Sequence, residues 1–341
     1  MTQSKQVILR ERPTTSVNPD LENGTFSVKV VEVEKNLPPS SVLVKILYVS
    51  IDPAMRGWLR DARSYLPPVQ IGECMRAGGV GEVISSTSSL FKEGDQVSGT
   101  LGWQEYGVFS EKSLTKLDKI EGVDIKDHLG VLGLTGLTAY FGVFNILRVE
   151  KDEVVIVTGA AGAVGSAVVQ LCKIKGCKVI ATAGTDEKCK WIKEELGADD
   201  TLNYKSPSFQ KDFQSLVKDK YQYAHCVFEN VGGEQLDLNL TLMRPFGRIA
   251  FCGSISQYNG DAPYALRNYT SIVAMRIRFE GFIVFDFAKE YPKAIKELNQ
   301  WIKEGKVTRQ YYMVEGGITK GPEALLGLFE GRNQGKTLLK L

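Results

Sequence analysis

The chain is predicted to be an α/β protein with a doubly wound parallel sheet domain and a second, β-rich domain built as a partly open barrel. Three observations predict this. Residues 154–175, VVIVTGAAGAVGSAVVQLCKIK, read as buried strand, glycine turn and helix; after Gly130 strands alternate with helices; before it, short strands alternate polar and apolar residues between turn signals. At 341 residues there is length for two domains, each with its own core.

The β-rich part comes first. Phe26, Val28, Val30 and Val33 alternate with polar residues, and VLVKILYVS at 42–50 repeats the habit. Further strands are expected at 79–85, 96–99 and 105–110, separated by Pro38-Pro39, Pro67-Pro68, Gly78-Gly79 and Glu93-Gly94-Asp95. The longest apolar run, 130–147, is broken by Gly133, Thr135, Gly136, Thr138, Gly142 and Asn145. It is read as a buried helix entering the next domain, not as a membrane span.

The α/β part follows. Val154 to Val157 are β-branched without alternation, as a strand covered on both faces requires. Val164, Val168, Leu171 and Cys172 share one face of the helix after it. Strands are expected at 178–183, 224–228, 248–252 and 279–285, the last at a sheet edge. A helix is expected over 186–196, with Thr185 as N-cap and Asp186 and Glu187 in its first turn. An amphipathic helix over 292–305 ends at Gly305. Strands at 311–314 and 337–341 flank a helix near 323–329. No internal repeat is present.

Composition excludes several classes. Hydrophobic residues make 43% and charged residues 24%, ordinary for a soluble globular enzyme. Lys and Arg total 42 against 40 Asp and Glu, so there is no basic excess for nucleic acid. The N-terminus lacks an apolar core of signal-peptide length. Cys74, Cys172, Cys177, Cys189, Cys226 and Cys252 form no CxxC pair, so reduced thiols and a cytoplasmic location are expected. His128 and His225 are the only histidines and lie in no cluster of metal ligands, so no metal is expected.

Gly159, Gly162 and Gly165 carry the chemistry. A strand feeding a helix through a turn without side chains aims several N–H groups, and the positive end of the helix, at one spot that suits a pyrophosphate. The same glycines would also serve a tight turn that binds nothing. An enzyme selecting NAD places an acid at the end of the next strand. Here that strand ends in Ala183-Gly184-Thr185, the nearest acid is Asp186 inside the helix, and Lys188 follows. A lysine at a helix N-terminus opposes the dipole, which a 2′-phosphate would offset; the alternative is a solvated lysine. Asn230-Val231-Gly232-Gly233 and Cys252-Gly253-Ser254 follow strand ends, where ligands bind in such sheets. Cys252 has no nearby histidine to activate it and is read as a wall residue.

SIDPAMRG (50–57), GLTGLTAYFGV (133–143), GAAGAVGS (159–166), GTDEK (184–188), NYK (203–205), ENVGG (229–233), FGRIAFCGSISQYN (246–259), EGFIVFDF (280–287) and GKTLLK (335–340) occur in one order along the chain. In these motifs the chain resembles the zinc-independent branch of the medium-chain dehydrogenase/reductase superfamily. Within it, the resemblance is to the leukotriene B4 12-hydroxydehydrogenase, prostaglandin reductase and alkenal double-bond reductase family, and to its bacterial and fungal members in RSYLPPV and GWQEYGVFS.

The resemblance implies a GroES-like catalytic domain (1–127, completed by 304–341), a Rossmann domain (128–303), NADPH and a homodimer. It implies that Gly162, Ala163, Val164 and Gly165 hold the pyrophosphate and that Lys188 and Tyr204 flank the 2′-phosphate. Asn230, Cys252, Gly253, Ser254, Ile255, Ser256, Tyr258, Phe282, Ile283, Val284 and Asn333 line the rest of the cofactor. Many mammalian and plant members carry Tyr after the Asp-Pro of the first motif; Ala54 stands there in this chain, implying a differently shaped pocket.

The reaction implied is reduction of a carbon–carbon double bond conjugated to a carbonyl, in a small enal or enone, by hydride addition to the β-carbon without a metal. The alternatives are an NADPH quinone reductase or a non-catalytic NADPH-binding protein. Tyr258 would donate to the enolate oxygen or only orient the nicotinamide ribose. Tyr65 would stand at the substrate mouth or simply pack. Arg56 and Trp58 are read as structural, with Arg56 also able to hold a domain cleft.

Overall fold

The computed structural model describes residues 2–34, 36–260 and 262–341. The chain divides into two units, Met1–Gly130 with Tyr311–Leu341, and Val131–Gln310. In the first, β1 (Thr2–Leu9) and β2 (Phe26–Val33) pair antiparallel, Thr2 opposite Val33 and Leu9 opposite Phe26. β1 goes beyond the sequence expectation: it opens TQSKQ, with no apolar alternation to mark it. Next come β3 (Ser41–Ser50), the short helix α1 (Met55–Trp58), β4 (Gly78–Ser86), β5 (Gln96–Thr100), β6 (Tyr106–Ser110) and β7 (Leu114–Lys116). β3 pairs with β4 along most of its length, and its first half also pairs with β6. Irregularities after Leu43 and Ile46 mark bends of the kind that curve a sheet. Val44, Ile46, Val97 and Trp103 have no solvent exposure to speak of and form this unit's core, where Phe26 packs on Trp103 at 5.2 Å between ring centroids.

The second unit opens with α2 (Leu134–Phe141), which widens into a π-helical turn at Gly142–Leu147. Then follow β8 (Val154–Val157), α3 (Ala163–Ile174), β9 (Lys178–Ala183), α4 (Asp186–Glu194), β10 (Asp200–Asn203), α5 (Phe209–Ser215), β11 (Ala224–Glu229), α6 (Gly233–Leu240), β12 (Met243–Phe251), α7 (Thr270–Ala274), β13 (Arg278–Gly281) and α8 (Tyr291–Lys303). The six strands form one sheet in the order β10-β9-β8-β11-β12-β13, every pair parallel. The order reverses between β8 and β11, the switch point outside which such sheets bind ligands. Val155, Ile156 and Val157 are fully buried, as an unalternating run between helix layers must be.

One expected strand is shorter than its sequence suggests, and one strand is additional. The strand expected over 279–285 stops at Gly281, and a 3-10 helix takes over at Val284–Glu290. β12 ends at Phe251, so the chain beyond Gly281 has no strand to pair with; Phe282 instead packs edge-on against Phe228, 6.1 Å away. β10 carries only four residues, DTLN, with one strongly apolar side chain, and was not foreseen.

The chain then returns to the first unit. β14 (Tyr311–Val314), α9 (Gly321–Phe329) and β15 (Lys336–Lys340) complete it. β15 pairs antiparallel with the end of β3, giving the order β14-β15-β3-β4-β5-β7.

Candidate active site

The turn after β8 is built as its glycines suggest. Gly159 adopts φ +60°, and the Gly162 N–H donates to its carbonyl at 3.0 Å. A Cβ on Gly165 would lie 2.5 Å from the Gly159 oxygen and 2.7 Å from the Ala160 Cα, so α3 can approach the turn only with glycine there. Gly162 has a different role. It precedes α3 without a side-chain cap, and a Cβ there would meet only the Gly159 oxygen, at 3.3 Å. The first-turn amides of Ala163, Val164 and Gly165 therefore sit behind a side-chain-free approach, the form a pyrophosphate needs.

At the end of β9, Thr185 caps α4 by accepting the Lys188 N–H at 3.2 Å. The Tyr204 ring lies over Gly184, its hydroxyl 2.8 Å from where a Cβ would stand. Burial, together with the neighbouring Lys205 charge, lowers the Lys188 pKa. Burial raises that of Tyr204. Asp186 is hydrogen-bonded by the Asn203 amide at 2.9 Å, and the Asn203 oxygen accepts the Lys205 N–H at 3.0 Å. Two lysines thus converge beside a phenol, an arrangement that an anion stabilises. Lys205, the last residue of NYK, is a neighbouring charge that the sequence reading does not single out.

At the ends of β11 and β12 two loops are laced together. Asn230 donates its side-chain amide to the Thr158 carbonyl at 2.7 Å and its backbone N–H to the Thr158 hydroxyl at 2.8 Å. The Asn230 carbonyl accepts the Ile255 N–H, and the Val231 carbonyl accepts both the N–H and the hydroxyl of Ser256. Cys252 and Gly253 donate their N–H groups to the Glu229 carbonyl. The Tyr258 hydroxyl oxygen accepts the Ser254 N–H at 3.1 Å, which folds the ring back over Gly253. Asn230, Cys252, Gly253, Ser254, Ile255, Ser256 and Tyr258 are therefore one hydrogen-bonded assembly.

Beneath it lies a residue that sequence reasoning missed. Glu229 has no solvent exposure. One of its oxygens accepts from the N–H groups of Val231 (2.7 Å) and Gly232 (2.8 Å) and from the Thr158 hydroxyl (2.8 Å); the other accepts from Asn239 at 3.1 Å. Desolvation raises its pKa against the pull of those four donors. Glu229 fixes the Asn230 loop and, through Thr158, ties it to the glycine turn. A carboxylate at the end of an apolar strand was the signal that could have revealed it. Burial and the Glu229 charge push the Cys252 thiol up to about 12, so it is no thiolate at neutral pH.

Phe282 and Ile283 are half-buried and Val284 is buried, its carbonyl accepting the Tyr291 hydroxyl at 3.0 Å. Asn333 and Tyr65 belong to the first unit. Asn333 donates to the Gly335 carbonyl at 3.0 Å. Tyr65 is 46% exposed and accepts from the Trp58 indole at 3.0 Å. Arg56 is fully buried within the first unit, donating to the carbonyls of Pro13 and Thr15 at 3.1 and 2.6 Å. Among the described residues no group of three or more His, Cys, Asp or Glu side chains could hold a metal ion, and no helix is long and apolar enough to cross a membrane.

Comparison with known proteins agrees with this geometry. Residues 5–117 match the family described as the N-terminal domain of oxidoreductase, and 163–300 the family described as zinc-binding dehydrogenase. A 2-alkenal reductase (NADP(+)-dependent) of Nicotiana tabacum is 38% identical over 344 residues, covering 98% of this chain and 97% of the relative. Prostaglandin reductase 1 of Mus musculus is 40% identical over 327 residues, covering 93% and 94%. The crystal structure of CurA from Vibrio vulnificus in complex with NADPH superposes with a TM-score of 0.92 at 32% identity, covering 98% of each chain. By its motifs, fold and relatives the chain belongs to the zinc-independent branch of the medium-chain dehydrogenase/reductase superfamily, in the family of the prostaglandin and 2-alkenal reductases.

Proposed function

We propose that this protein is an NADPH-dependent reductase of carbon–carbon double bonds conjugated to an aldehyde or ketone. The observation that carries the cofactor half is the pair of anion-seeking sites on one sheet: the uncapped α3 amides behind Gly162, and Lys188 with Lys205 beside Tyr204. Relatives named as 2-alkenal and prostaglandin reductases support the substrate half.

In this reading Gly162, Ala163, Val164 and Gly165 hold the pyrophosphate, Lys188 and Tyr204 the 2′-phosphate, and Asn230, Cys252–Ser256, Phe282, Ile283, Val284 and Asn333 the remainder. NADPH, when bound, supplies a hydride. The chain's own task is to stabilise the negative charge that appears on the substrate carbonyl oxygen and to manage a proton. Tyr258 is suited to it: the Ser254 N–H on its oxygen would share charge if the phenol proton passed to substrate. Tyr65 is proposed as a substrate contact. A homodimer is proposed as the assembly.

The test is the loss of nicotinamide absorbance when NADPH and a panel of enals, enones and quinones meet the purified protein. Turnover of enals and enones is expected. Turnover of quinones alone would favour a quinone reductase, and NADPH binding without turnover a non-catalytic protein. In Tyr258→Phe, a fall in kcat of about 10²-fold at unchanged KM for NADPH marks a proton donor; a raised KM alone marks an orienting role.

A further inference from the structure

The opposite end of the same sheet holds a second cluster of charged groups. A cavity of about 630 Å³ opens at the amino ends of the strands, lined by Val154, Lys178, His225, Arg244, Asp152 and Gln222 among others. Val154 and Lys178 are the first residues of β8 and β9, and His225 and Arg244 the second residues of β11 and β12.

His225 receives more donors than it can accept. The Val154 backbone N–H lies 2.9 Å from its Nδ1, and Arg244 Nη1 lies 3.0 Å from its Nε2. A neutral imidazole has one lone pair and one N–H, so it accepts from only one of them. The Val154 amide is fixed by the strand, so Nδ1 accepts and Nε2 carries the proton. An Nε2–H then points at an arginine N–H, and the other tautomer merely moves the conflict to Val154. Protonating the ring makes it worse; burial and the Arg244 charge in any case hold its pKa below the ordinary value. Arg244 is anchored by a second bond, from Nε to the Gln222 carbonyl at 2.8 Å.

Charge around the cavity is positive on balance. Lys220 pairs with Asp200 at 2.6 Å and Asp199 with Lys173 at 2.7 Å. Behind His225, Arg248 pairs with Glu153. Lys178 and Arg244 then stand against Asp152. Asp152 and Gln222 hold left-handed backbone, φ +66° and +53°, a strain that gathers at ligand sites.

We propose that this cavity is a second anion site, taking a phosphoryl-type oxyanion whose oxygens accept from His225 Nε2 and the Arg244 guanidinium, with Lys178 adding charge. The acceptor that the imidazole and guanidinium lack is then supplied by the ligand. The site is separate from the proposed cofactor site and does not rest on it.

With two histidines in the chain, imidazole NMR of full-length protein reads the site directly. The protein is saturated with NADP⁺, and a Lys188→Ala variant is run alongside, so that binding at the proposed 2′-phosphate site is told apart. Inorganic phosphate and phenyl phosphate are titrated separately. A saturable shift of the His225 ring signals is expected in wild type and in Lys188→Ala, with His128 unmoved, the His225 pKa raised by the anion, and affinity weakened about 10-fold or more in Arg244→Gln. Tighter phenyl phosphate marks a phosphate monoester as the ligand, and tighter phosphate the free ion. His225 signals unmoved through the millimolar range in wild type, or an Arg244→Gln protein that titrates like wild type, would overturn the proposal.

Discussion

Glu229 shows how much one side chain can organise. Four donors converge on its buried carboxylate, two of them backbone amides of the Asn230 loop. Removing it strands the Val231, Gly232 and Asn239 donors, while the Thr158 hydroxyl keeps only its 3.4 Å contact with the Phe228 carbonyl, and each buried unsatisfied group costs about 1–3 kcal/mol. Glu229→Ala is therefore expected to lose on the order of 3 kcal/mol or more in urea unfolding. Glu229→Gln is expected to stay within about 1 kcal/mol. Its amide oxygen can keep the three donors on one side, and its NH₂ can meet a flipped Asn239, whose Oδ1 has no partner among the described residues. Because burial raises the Glu229 pKa, the folded protein holds this proton more tightly than the unfolded chain. Wild-type stability should therefore decline as pH climbs from the ordinary carboxylate range through the folded value. The Gln variant should lack that component; identical pH profiles for the two proteins would show that Glu229 does not titrate as described.

Among the elements, the β9–α4 junction sets cofactor choice in this account. Lys188→Ala and Lys205→Ala are each expected to raise the KM for NADPH about 10-fold while leaving that for NADH within about two-fold. Equal effects on both cofactors would remove the phosphate assignment. The same junction shows what sequence can reveal. Thr185 as N-cap, Lys188 in the first turn and the unalternating β8 were all legible, because capping and burial are written in local residue types. What escaped notice depends on partners far along the chain. β1 is a strand because β2 lies beside it, and β10 because β9 does. The false extension of β13 failed for lack of a neighbour, since β12 ends at Phe251. At the site the glycine turn and the loops after β11 and β12 were readable as strand ends. The Glu229 network was not, because its donors come from three separate segments.

At the scale of the whole molecule, the first unit is made of two chain segments: β15 pairs with the end of β3, and Lys336 at the start of β15 pairs with Asp52, two residues past β3, at 2.6 Å. The second unit has charged groups at both ends of one parallel sheet, the proposed cofactor site at the carboxyl ends and the His225 cavity at the amino ends. The central claim is a statement about where a hydride goes. It is tested most directly by locating deuterium in the product of an enal reduced with NADPH deuterated at the transferred position. The account predicts a saturated aldehyde with deuterium on the former β-carbon. Deuterium on the carbonyl carbon of an allylic alcohol would contradict it.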